Sequence, residues 1–568
     1  MIGVIDTHLK SDHNHNMTND FKRFQFDTDH LQMNPQLTNF AATQNDYASF
    51  LPSISAIYTK IVSMTNYHMR DEMPKGLPNG LKDLDFLDPA NSLFYYPVAL
   101  YSAGHAILDP KDSWTGERMV QQRDRKNTVI VGDSGGFQAA TGVLKYPWHP
   151  KNKQSPEDHA KDQDDVRMKL LRWLEATADY SMVLDWPTYA LVKYGLDPVT
   201  GASLHPALKT FGDCLTGSLE NHQFFIKHRK EGATKFLNVL QGRNEEEGDI
   251  WWDATKDLPF ESWAFSNVQA SNFSINLRRL IIMRDQHYLE GREWLHYLGN
   301  GKIKAGCALT TVQRALRKYV DPQLTVSFDA ASPFVMTAKG QMYYGHQLSA
   351  ENVGFKGGPI VDKKELKNNP QLLNDWIAEN LPRKCVPVRS KIGELVTVGD
   401  ICVRGYEDLE HKRVAFTKKE IDNGDWAKTP EGRAGDPFRW SNAYREYLTH
   451  HQDNGGLFDF GGNKFEDEKL KYQIKYPSSM DGFSYLLAMN HNTELHINAI
   501  QAANHWQDQP VDQAKNYLTS DLLEFKDLCP EIFTSERPMD LINKHAKMLQ
   551  QITGMDADNQ VSMEMDRF

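Results

Sequence analysis

Val129-Ile-Val-Gly-Asp133-Ser-Gly-Gly-Phe-Gln138 opens on an apolar, β-branched run and passes through an aspartate into a pair of glycines. β-Branched residues favour a strand, and two glycines permit a turn that other residues make only with strain. The pattern predicts a buried strand that presents the carboxylate of Asp133 and open backbone N–H groups at its carboxyl end. Enzymes built from β-α units position catalytic groups in this way.

Short apolar runs alternate with helical patterns from about residue 90 onward, which predicts repeated β-α units. Eight strand candidates with intervening helices predict an α/β fold, a (β/α)8 TIM barrel, for which about 260 residues is typical. The candidates are residues 93–100, 128–132, 181–184, 235–240, 262–265, 294–298, 324–328 and, as the eighth, 341–344.

The pattern divides the chain into four regions. Residues 1–85 form a polar N-terminal extension, whose first 50 residues are rich in Asn, Asp, Thr, Gln and His, and residues 86–350 form the barrel. Residues 351–430 are predicted to be an insertion. Residues 431–568 are predicted to be a helical C-terminal region, with helical patterns at 440–450 and 484–504.

The composition restricts the class of protein. The chain has 568 residues and a formal net charge of −11, which argues against a protein that coats nucleic acid without sequence preference but not against an enzyme with a local basic surface. Five scattered cysteines predict a reducing cytoplasm rather than a disulfide scaffold. No apolar run reaches the roughly 20 residues of a membrane span. The candidate basic stretches are 118–126, 227–230, 278–279 and Arg383-Lys384 with Arg389 and Lys391.

Polar residues stand at the carboxyl ends of five predicted strands, where a barrel carries its active site. Packing alone gives no reason for such a pattern. These residues are Asp133, Asp185, Gln241, Ser266-Asn267 and Asp329.

Six further short segments follow the Asp133 segment in order, and together they resemble the tRNA-guanine transglycosylase superfamily. Members of that family exchange a guanine in nucleic acid for a 7-deazaguanine. The resemblance runs from about residue 90 to 505. Its segments are Asp133-Ser-Gly-Gly-Phe-Gln138, Leu184-Asp-Trp-Pro-Thr-Tyr-Ala190, Val239-Leu-Gln-Gly242, His296-Tyr-Leu298, Phe328-Asp329, Trp440-Ser-Asn-Ala-Tyr444 and His491-Asn492.

The resemblance implies a role for each matched residue. Asp329 is the nucleophile that forms a covalent sugar–enzyme intermediate, and Asp133 is the general acid/base. Asp185 accepts hydrogen bonds from guanine N1–H and the 2-amino group, while Gln241 and an N–H near Asn267 donate to O6. Phe137 or Tyr189 stacks on the base. The full substrate-binding set is Ser134, Gly135, Gly136, Phe137, Gln138, Asp185, Gln241, Gly242, Ser266 and Asn267.

The chain departs from the family at the structural zinc site. The family's Cys-x-Cys-x-x-Cys corresponds here to Gly432, Ala434 and Pro437, none of which ligates zinc. His491 stands where the fourth ligand would, but a packing role is favoured for it, as it is for His296 in the barrel. We therefore expect no metal and no cofactor. A second departure is Ser266-Asn267, where the family has Gly-Gly beneath the base.

The loss of the zinc pattern and the Asn/Asp-rich N-terminal segment favour the DNA-modifying branch of the superfamily, the DpdA-like DNA transglycosylases of bacteriophages. These enzymes insert 7-cyano-7-deazaguanine or a derivative into DNA. The implied partners are DNA and a free 7-deazaguanine base, with no membrane, and a homodimer is one arrangement. The implied location is the cytoplasm, that of the host if the chain is phage-encoded.

Three alternatives stay open at this point. In the first, the chain is a tRNA-guanine transglycosylase that dispensed with zinc. In the second, it is a catalytically silent relative that only binds nucleic acid. In the third, Gly132-Asp-Ser134-Gly-Gly136 resembles the surroundings of the nucleophile in trypsin-like serine proteases. That interpretation makes Ser134 the nucleophile on an all-β scaffold. It is disfavoured because Phe137 replaces the expected proline and long helical patterns follow.

Overall fold

The structure is a computed structural model that describes residues 46–64, 74–195, 203, 205–338, 340–360, 366, 369–381, 386–387, 389–401, 413–415, 418–424, 438–440 and 482–553. Within these residues, eight parallel strands form a barrel in the order β1-β8-β7-β6-β5-β4-β3-β2. The predicted (β/α)8 TIM barrel is therefore confirmed. Its strands are β1 (Ser49–Pro52), β2 (Val98–Ser102), β3 (Val129–Asp133), β4 (Tyr180–Met182), β5 (Lys235–Leu240), β6 (Ser262–Phe265), β7 (Trp294–Tyr297) and β8 (Thr325–Ala330).

The barrel closes between β1 and β2. Ser53 forms a parallel bridge with Leu100, and the N–H of Ile54 donates to the carbonyl of Leu100 over 2.9 Å. On its other side β1 pairs with β8, so that Leu51 lies opposite Asp329. This register brings the end of the first strand next to the end of the last.

Helices follow the strands and begin at recognisable caps. The hydroxyl of Ser155 accepts from the N–H of Asp158, and Thr210 and Asp213 form a capping box. The helices around the barrel are α1 (Ala56–Val62), α2 (Pro110–Gly116), α3 (Arg118–Gln121), α4 (Gly136–Ala140), α5 (Pro156–Thr177), α6 (Ala190–Lys193), α7 (Phe211–His228), α8 (Glu245–Thr255), α9 (Val268–Ser271), α10 (Phe273–Asp285), α11 (Ile303–Tyr319) and α12 (Ser332–Ala338), and a 3₁₀ turn spans Gly80–Leu84.

Smaller elements follow the barrel. Three antiparallel strands form one sheet in the order β10-β9-β11, and two form another. These strands are β9 (Gln341–Leu348), β10 (Val353–Pro359), β11 (Val386–Pro387), β12 (Arg413–Ala415) and β13 (Phe438–Trp440). The helices are α13 (Leu373–Asn380), α14 (Val398–Ile401), α15 (Lys418–Asp422), α16 (Gly482–Asp508), α17 (Val511–Ala514), α18 (Ser520–Thr534), α19 (Pro538–Lys544) and α20 (Ala546–Gln551), with a 3₁₀ turn at Ile392–Glu394.

The C-terminal helices pack on one side of the barrel. Helix α16 contacts α11, α12 and β9, helix α18 contacts α11, and α19 and α20 contact α10. A continuous apolar core joins them to the barrel strands. The helix predicted at 484–504 is confirmed as α16, whereas Trp440 belongs to β13 and residues 441–450 lie outside the described residues.

Two predictions about the barrel are wrong, namely where it begins and which segment forms its eighth strand. The barrel begins at Ser49, inside the region assigned to the 1–85 extension, and Gln341–Leu348 is not its eighth strand. The position beside β8 is already taken by β1. Residues 349–352 connect β9 to β10 directly, and a connection of that length permits only an antiparallel pair.

Candidate active site

Polar or backbone groups gather at the carboxyl ends of the barrel strands. Each strand within the described residues supplies at least one, in or just after the strand. In strand order these residues are Ser53, Ser102, Asp133, Asp185, Gln241, Ser266 with Asn267, Gly299 and Asp329.

The carboxylate of Asp329 is buried and receives donors on both oxygens. Ser53 Oγ donates to Oδ2 over 2.5 Å, and the Gly299 N–H donates to Oδ1 over 2.7 Å. His296 Nε2 lies 3.3 Å from Oδ1. Burial acts to raise the pKa of Asp329, but the proximity of His296 and the hydrogen bonds from Ser53 and Gly299 together outweigh it and hold the pKa below its usual range. Asp329 is therefore an ionised carboxylate at neutral pH.

Asp133 occupies an environment with the opposite effect. It lies at the end of β3 opposite Ser102 of β2, whose hydroxyl donates to Oδ2 over 2.6 Å. Burial raises the pKa of Asp133, and the negative charge of Asp329 raises it further, against the opposing effect of the Ser102 hydrogen bond. One site thus holds two carboxyl groups whose pKa values are displaced in opposite directions, the usual arrangement of an acid and a nucleophile.

Asp185 begins a chain of hydrogen bonds that crosses three strand ends. Gln241 Nε2 donates to Asp185 Oδ2 over 2.7 Å, and Gln241 Oε1 accepts from Thr188 Oγ1 over 3.3 Å. Thr188 Oγ1 in turn accepts from Asn267 Nδ2 over 2.9 Å. Burial raises the pKa of Asp185 to about 7, although Gln241 opposes this. Such a carboxyl can present either a donor or an acceptor to a ligand near neutral pH.

Two backbone features hold this arrangement together. Gly136 approaches the main chain after β4 so closely that a Cβ atom would lie 2.0 Å from the carbonyl oxygen of Asp185. Gly135 has φ +85°, a conformation that favours glycine. The glycine pair predicted to make a special turn does so, and it locks the Asp133 strand end to the Asp185 strand end.

Asn267 is backbone-strained at the end of β6. Its φ is 53° and its ψ is −131°, which a residue with a side chain adopts at a cost. Ser266 precedes it and is also buried. The predicted contrast with the Gly-Gly of the resembled family therefore coincides with a backbone that glycine would adopt more easily.

An aromatic pair lies beside the carboxylates. Phe137 of the glycine turn and Tyr189 stack with ring centroids 5.9 Å apart, and the Lys193 ammonium lies 5.5 Å from the Phe137 ring centre. Gln138 contacts Ser102 Oγ and, through its Nε2, the exposed His105. These groups provide flat apolar surface and one cation beside the site.

Ser134 has no arrangement for nucleophilic catalysis. It is fully buried, and its Oγ lacks a hydrogen-bond partner within the described residues. The parallel barrel is also not the all-β scaffold that the protease interpretation requires.

Gly242, predicted to bind substrate, follows Gln241 and packs against the backbone of Gly248. A side chain at this position would collide with that backbone, so Gly242 allows the close approach of the two segments.

Four polar side chains of the site were not predicted to be functional. Ser53 and Ser102 are hydroxyl residues that carry no pattern signal in a single sequence. Thr188 lies in the resembled segment 184–190 but was given no role there. His296 was predicted to be a packing histidine; it is fully buried in β7 and also lies against Asp329. Two signals were available, its position one residue before the end of β7 and its place in the resembled segment His296-Tyr-Leu298.

Helix α16 forms hydrogen bonds with the loop after β7, with helix α1 and with strand β9. His496 Nε2 donates to the carbonyl of Gly301 after β7, and Asn490 Nδ2 donates to Tyr58 of α1. His491 Nε2 donates to the carbonyl of Tyr343, and its Nδ1 accepts from Ser390 Oγ. Both ring nitrogens of His491 are thus engaged in hydrogen bonds within the fold.

The predicted loss of the zinc site remains a prediction. Gly432, Ala434 and Pro437 lie outside the described residues, as do Ser441–Tyr444 of the resembled Trp-Ser segment. Among the residues that are described, no cluster of three or more His, Cys, Asp or Glu side chains has the arrangement of a metal site.

The basic stretches are largely paired with acidic residues. Arg123 and Arg125 bind Asp179 before β4, and Arg229 binds Glu261 before β6. These pairs lie at the amino ends of the strands, opposite the site. Arg278, Arg279 and Lys391 pair with Glu245, Asp249 and Glu394, and Arg383-Lys384 lies outside the described residues.

Comparisons with known proteins assign no family to the chain, because neither a scan against protein-family models nor a search of curated proteins returns a match. In the part of the chain that the structure describes, no helix combines the length and the apolar character of a transmembrane span.

Proposed function

We propose that this protein is a base-exchange transglycosylase that replaces guanine in DNA with a 7-deazaguanine such as 7-cyano-7-deazaguanine. The observation that carries the proposal is the pair Asp133 and Asp329, which interact electrostatically and whose pKa values are shifted upward and downward, respectively. A carboxyl group with a raised pKa beside one with a lowered pKa matches the two demands of N-glycosidic bond cleavage, a proton donor and a nucleophile.

The proposed exchange consists of two half-reactions, in each of which the atoms and electrons balance. In the first, an oxygen of Asp329 bonds to C1′ while the C1′–N9 bond breaks, and the leaving guanine takes the proton of Asp133. In the second, the incoming base gives its N9 proton to Asp133, its nitrogen bonds to C1′, and the electron pair of the ester bond returns to Asp329. No cofactor takes part.

The polar chain next to these carboxyl groups suits a guanine-like base. Asp185 in its ionised form would accept from the N1–H and the 2-amino group, which all 7-deazaguanines share with guanine. Gln241 or the backbone beside Asn267 would donate to O6, and Phe137 or Tyr189 would cover the ring face. A base in a duplex reaches such a site only when it is flipped out or single-stranded.

The choice of DNA over tRNA rests on the resemblance to the phage DNA-modifying enzymes. A cytoplasmic location fits that proposal, as does the free state of Cys214, Cys307 and Cys529.

Incorporation of labelled base tests the proposal. The purified protein is given labelled guanine or labelled 7-cyano-7-deazaguanine, with DNA and tRNA offered side by side. We expect label in DNA, its loss in Asp329→Ala, and its retention in Asp83→Asn, which changes a buried aspartate that binds Asn79 instead. Label in tRNA alone would mean a tRNA enzyme, and label in neither would mean a binding-only relative.

A further inference from the structure

The two oxygens of Asp329 differ in how firmly they are held. Oδ2 receives a hydroxyl, Ser53 Oγ, which can rotate away. Oδ1 receives the backbone N–H of Gly299, which has no side-chain torsion to rotate about, and faces Nε2 of His296, whose ring is fully buried and contacts Ser327. The groups that face Oδ1 are therefore held more firmly than the hydroxyl that faces Oδ2.

The second ring nitrogen of His296, Nδ1, contacts a hydroxyl of the barrel interior. Ser327 Oγ lies 2.8 Å from His296 Nδ1 and accepts from Trp294 Nε1 over 2.7 Å. When the Ser327 hydroxyl donates to Nδ1, the proton of a neutral imidazole resides on Nε2, the nitrogen that faces Asp329. Nε2 makes no well-aligned hydrogen bond to any described residue, so its N–H remains available to strengthen the 3.3 Å contact with Oδ1.

A fixed donor on a carboxylate acts differently on the two half-reactions. It stabilises the free, charged Asp329 more than the neutral sugar ester, because hydrogen bonds to charged groups are the stronger ones. Such a donor gives little help to attack on C1′. It helps the ester bond to break, since negative charge returns to the carboxylate in that step.

We propose that His296 is a positioning residue that, with the Gly299 N–H, makes Asp329 a good leaving group and so controls transfer of the sugar from the enzyme to the incoming base. This inference rests on the proposed base exchange. In the step concerned, the incoming nitrogen bonds to C1′, its proton passes to Asp133, and the electron pair of the C1′–oxygen bond returns to Asp329 while His296 keeps its own proton.

A pulse–chase experiment separates the two half-reactions. The full-length protein is mixed with end-labelled single-stranded DNA without free base, and covalent adduct is followed on denaturing gels. Excess 7-cyano-7-deazaguanine is then added, and adduct breakdown is followed. The variants are His296→Leu, which removes the donor, His296→Gln, which keeps an amide N–H, and Ser327→Ala, which removes the hydroxyl behind His296.

We expect adduct breakdown to slow on the order of tenfold in His296→Leu, with formation changed far less, so that adduct accumulates. His296→Gln should recover part of the rate, and Ser327→Ala should shift the same ratio in the same direction. The control His222→Phe changes a fully buried histidine of α7 that packs on Phe260, and it should leave both rates unchanged.

Equal slowing of formation and breakdown, or unchanged breakdown in both His296→Leu and Ser327→Ala, would overturn the inference while leaving base exchange intact. Should His296→Leu fail to fold, the Ser327→Ala rates decide alone. Absence of any adduct in the wild-type protein, with DNA and with tRNA, would overturn the proposed function and the inference together.

Discussion

Ser53 Oγ donates a hydrogen bond to Asp329 Oδ2 over 2.5 Å and thereby joins the end of the first barrel strand to the end of the last. The parallel register of β1 and β8 makes this contact possible, because Leu51 lies opposite Asp329 and Ser53 follows two residues later. One hydroxyl thus ties barrel closure to the ionisation of the proposed nucleophile.

Loss of the Ser53 hydroxyl should raise the pKa of Asp329. Activity requires this carboxylate to be ionised, so it is present above the pKa and is lost as pH falls through it. We expect the acidic limb of the rate of adduct formation to move to higher pH in Ser53→Ala. Ser55→Ala, which removes the cap of α1, is the matched control. An unmoved limb in Ser53→Ala would contradict the role of Ser53.

Asp133→Asn should remove the proton donor for the leaving guanine. We expect base exchange to fall by about 10²- to 10⁴-fold. Because burial raises the pKa of Asp133, we expect wild-type cleavage to be lost as pH rises through that pKa. The residual rate of Asp133→Asn should show no such alkaline limb. A variant that kept the wild-type pH profile would assign the acid to another residue.

Asp185 should lower the stability of the protein at alkaline pH. Its pKa is about 7 in the folded protein against 3.8 in the unfolded chain, so the folded state holds its proton longer. Below pH 3.8 Asp185 is protonated in both states and does not destabilise the fold. As pH rises from 3.8 to about 7, the unfolded chain loses this proton first, and the free energy of unfolding falls. Asp185→Asn should therefore increase the free energy of unfolding more at pH 8 than at pH 5, by on the order of 2 kcal/mol.

Thermal unfolding of the wild type and Asp185→Asn at the two pH values measures this difference. The same variant should bind 7-cyano-7-deazaguanine more weakly, since an asparagine cannot accept from both N1–H and the 2-amino group. Equal stabilisation at both pH values would contradict the buried-carboxyl explanation, and unchanged affinity would remove Asp185 from base recognition.

Substitutions at Asn267 should separate backbone strain from the hydrogen bond to Thr188. Asn267→Gly relieves a positive φ but loses the amide, so the two effects offset and stability should change by less than about 1 kcal/mol. Asn267→Ala loses the amide and keeps the strain, and it should destabilise by about 1–3 kcal/mol. Chemical denaturation measures both, and equal losses would mean that the backbone carries no strain.

Much of the site follows from sequence because polar residues directly after apolar runs mark strand ends. Asp133, Asp185, Gln241, Asn267 and Asp329 were each found by that rule, and the structure places them at one end of the barrel. The rule works because a parallel strand is buried on both faces and tolerates polar residues only where it leaves the sheet.

The first strand escaped prediction for physical reasons. Ser49–Pro52 has four residues, begins with a serine and ends with a proline, and it follows a long polar segment. Gln341–Leu348 is a better strand by pattern, but its direct connection to β10 commits it to another sheet. The length of a connection and the closure of a barrel depend on distant pairings, which local pattern does not reveal.

Mass spectrometry of a trapped covalent adduct tests the central claim most directly. The protein is incubated with single-stranded DNA without free base, denatured and digested, and the residue that bears deoxyribose is identified. The account predicts that the sugar is attached to Asp329, and that Asp329→Ala yields no adduct while remaining folded. A sugar on another residue, or undiminished adduct in Asp329→Ala, would contradict it.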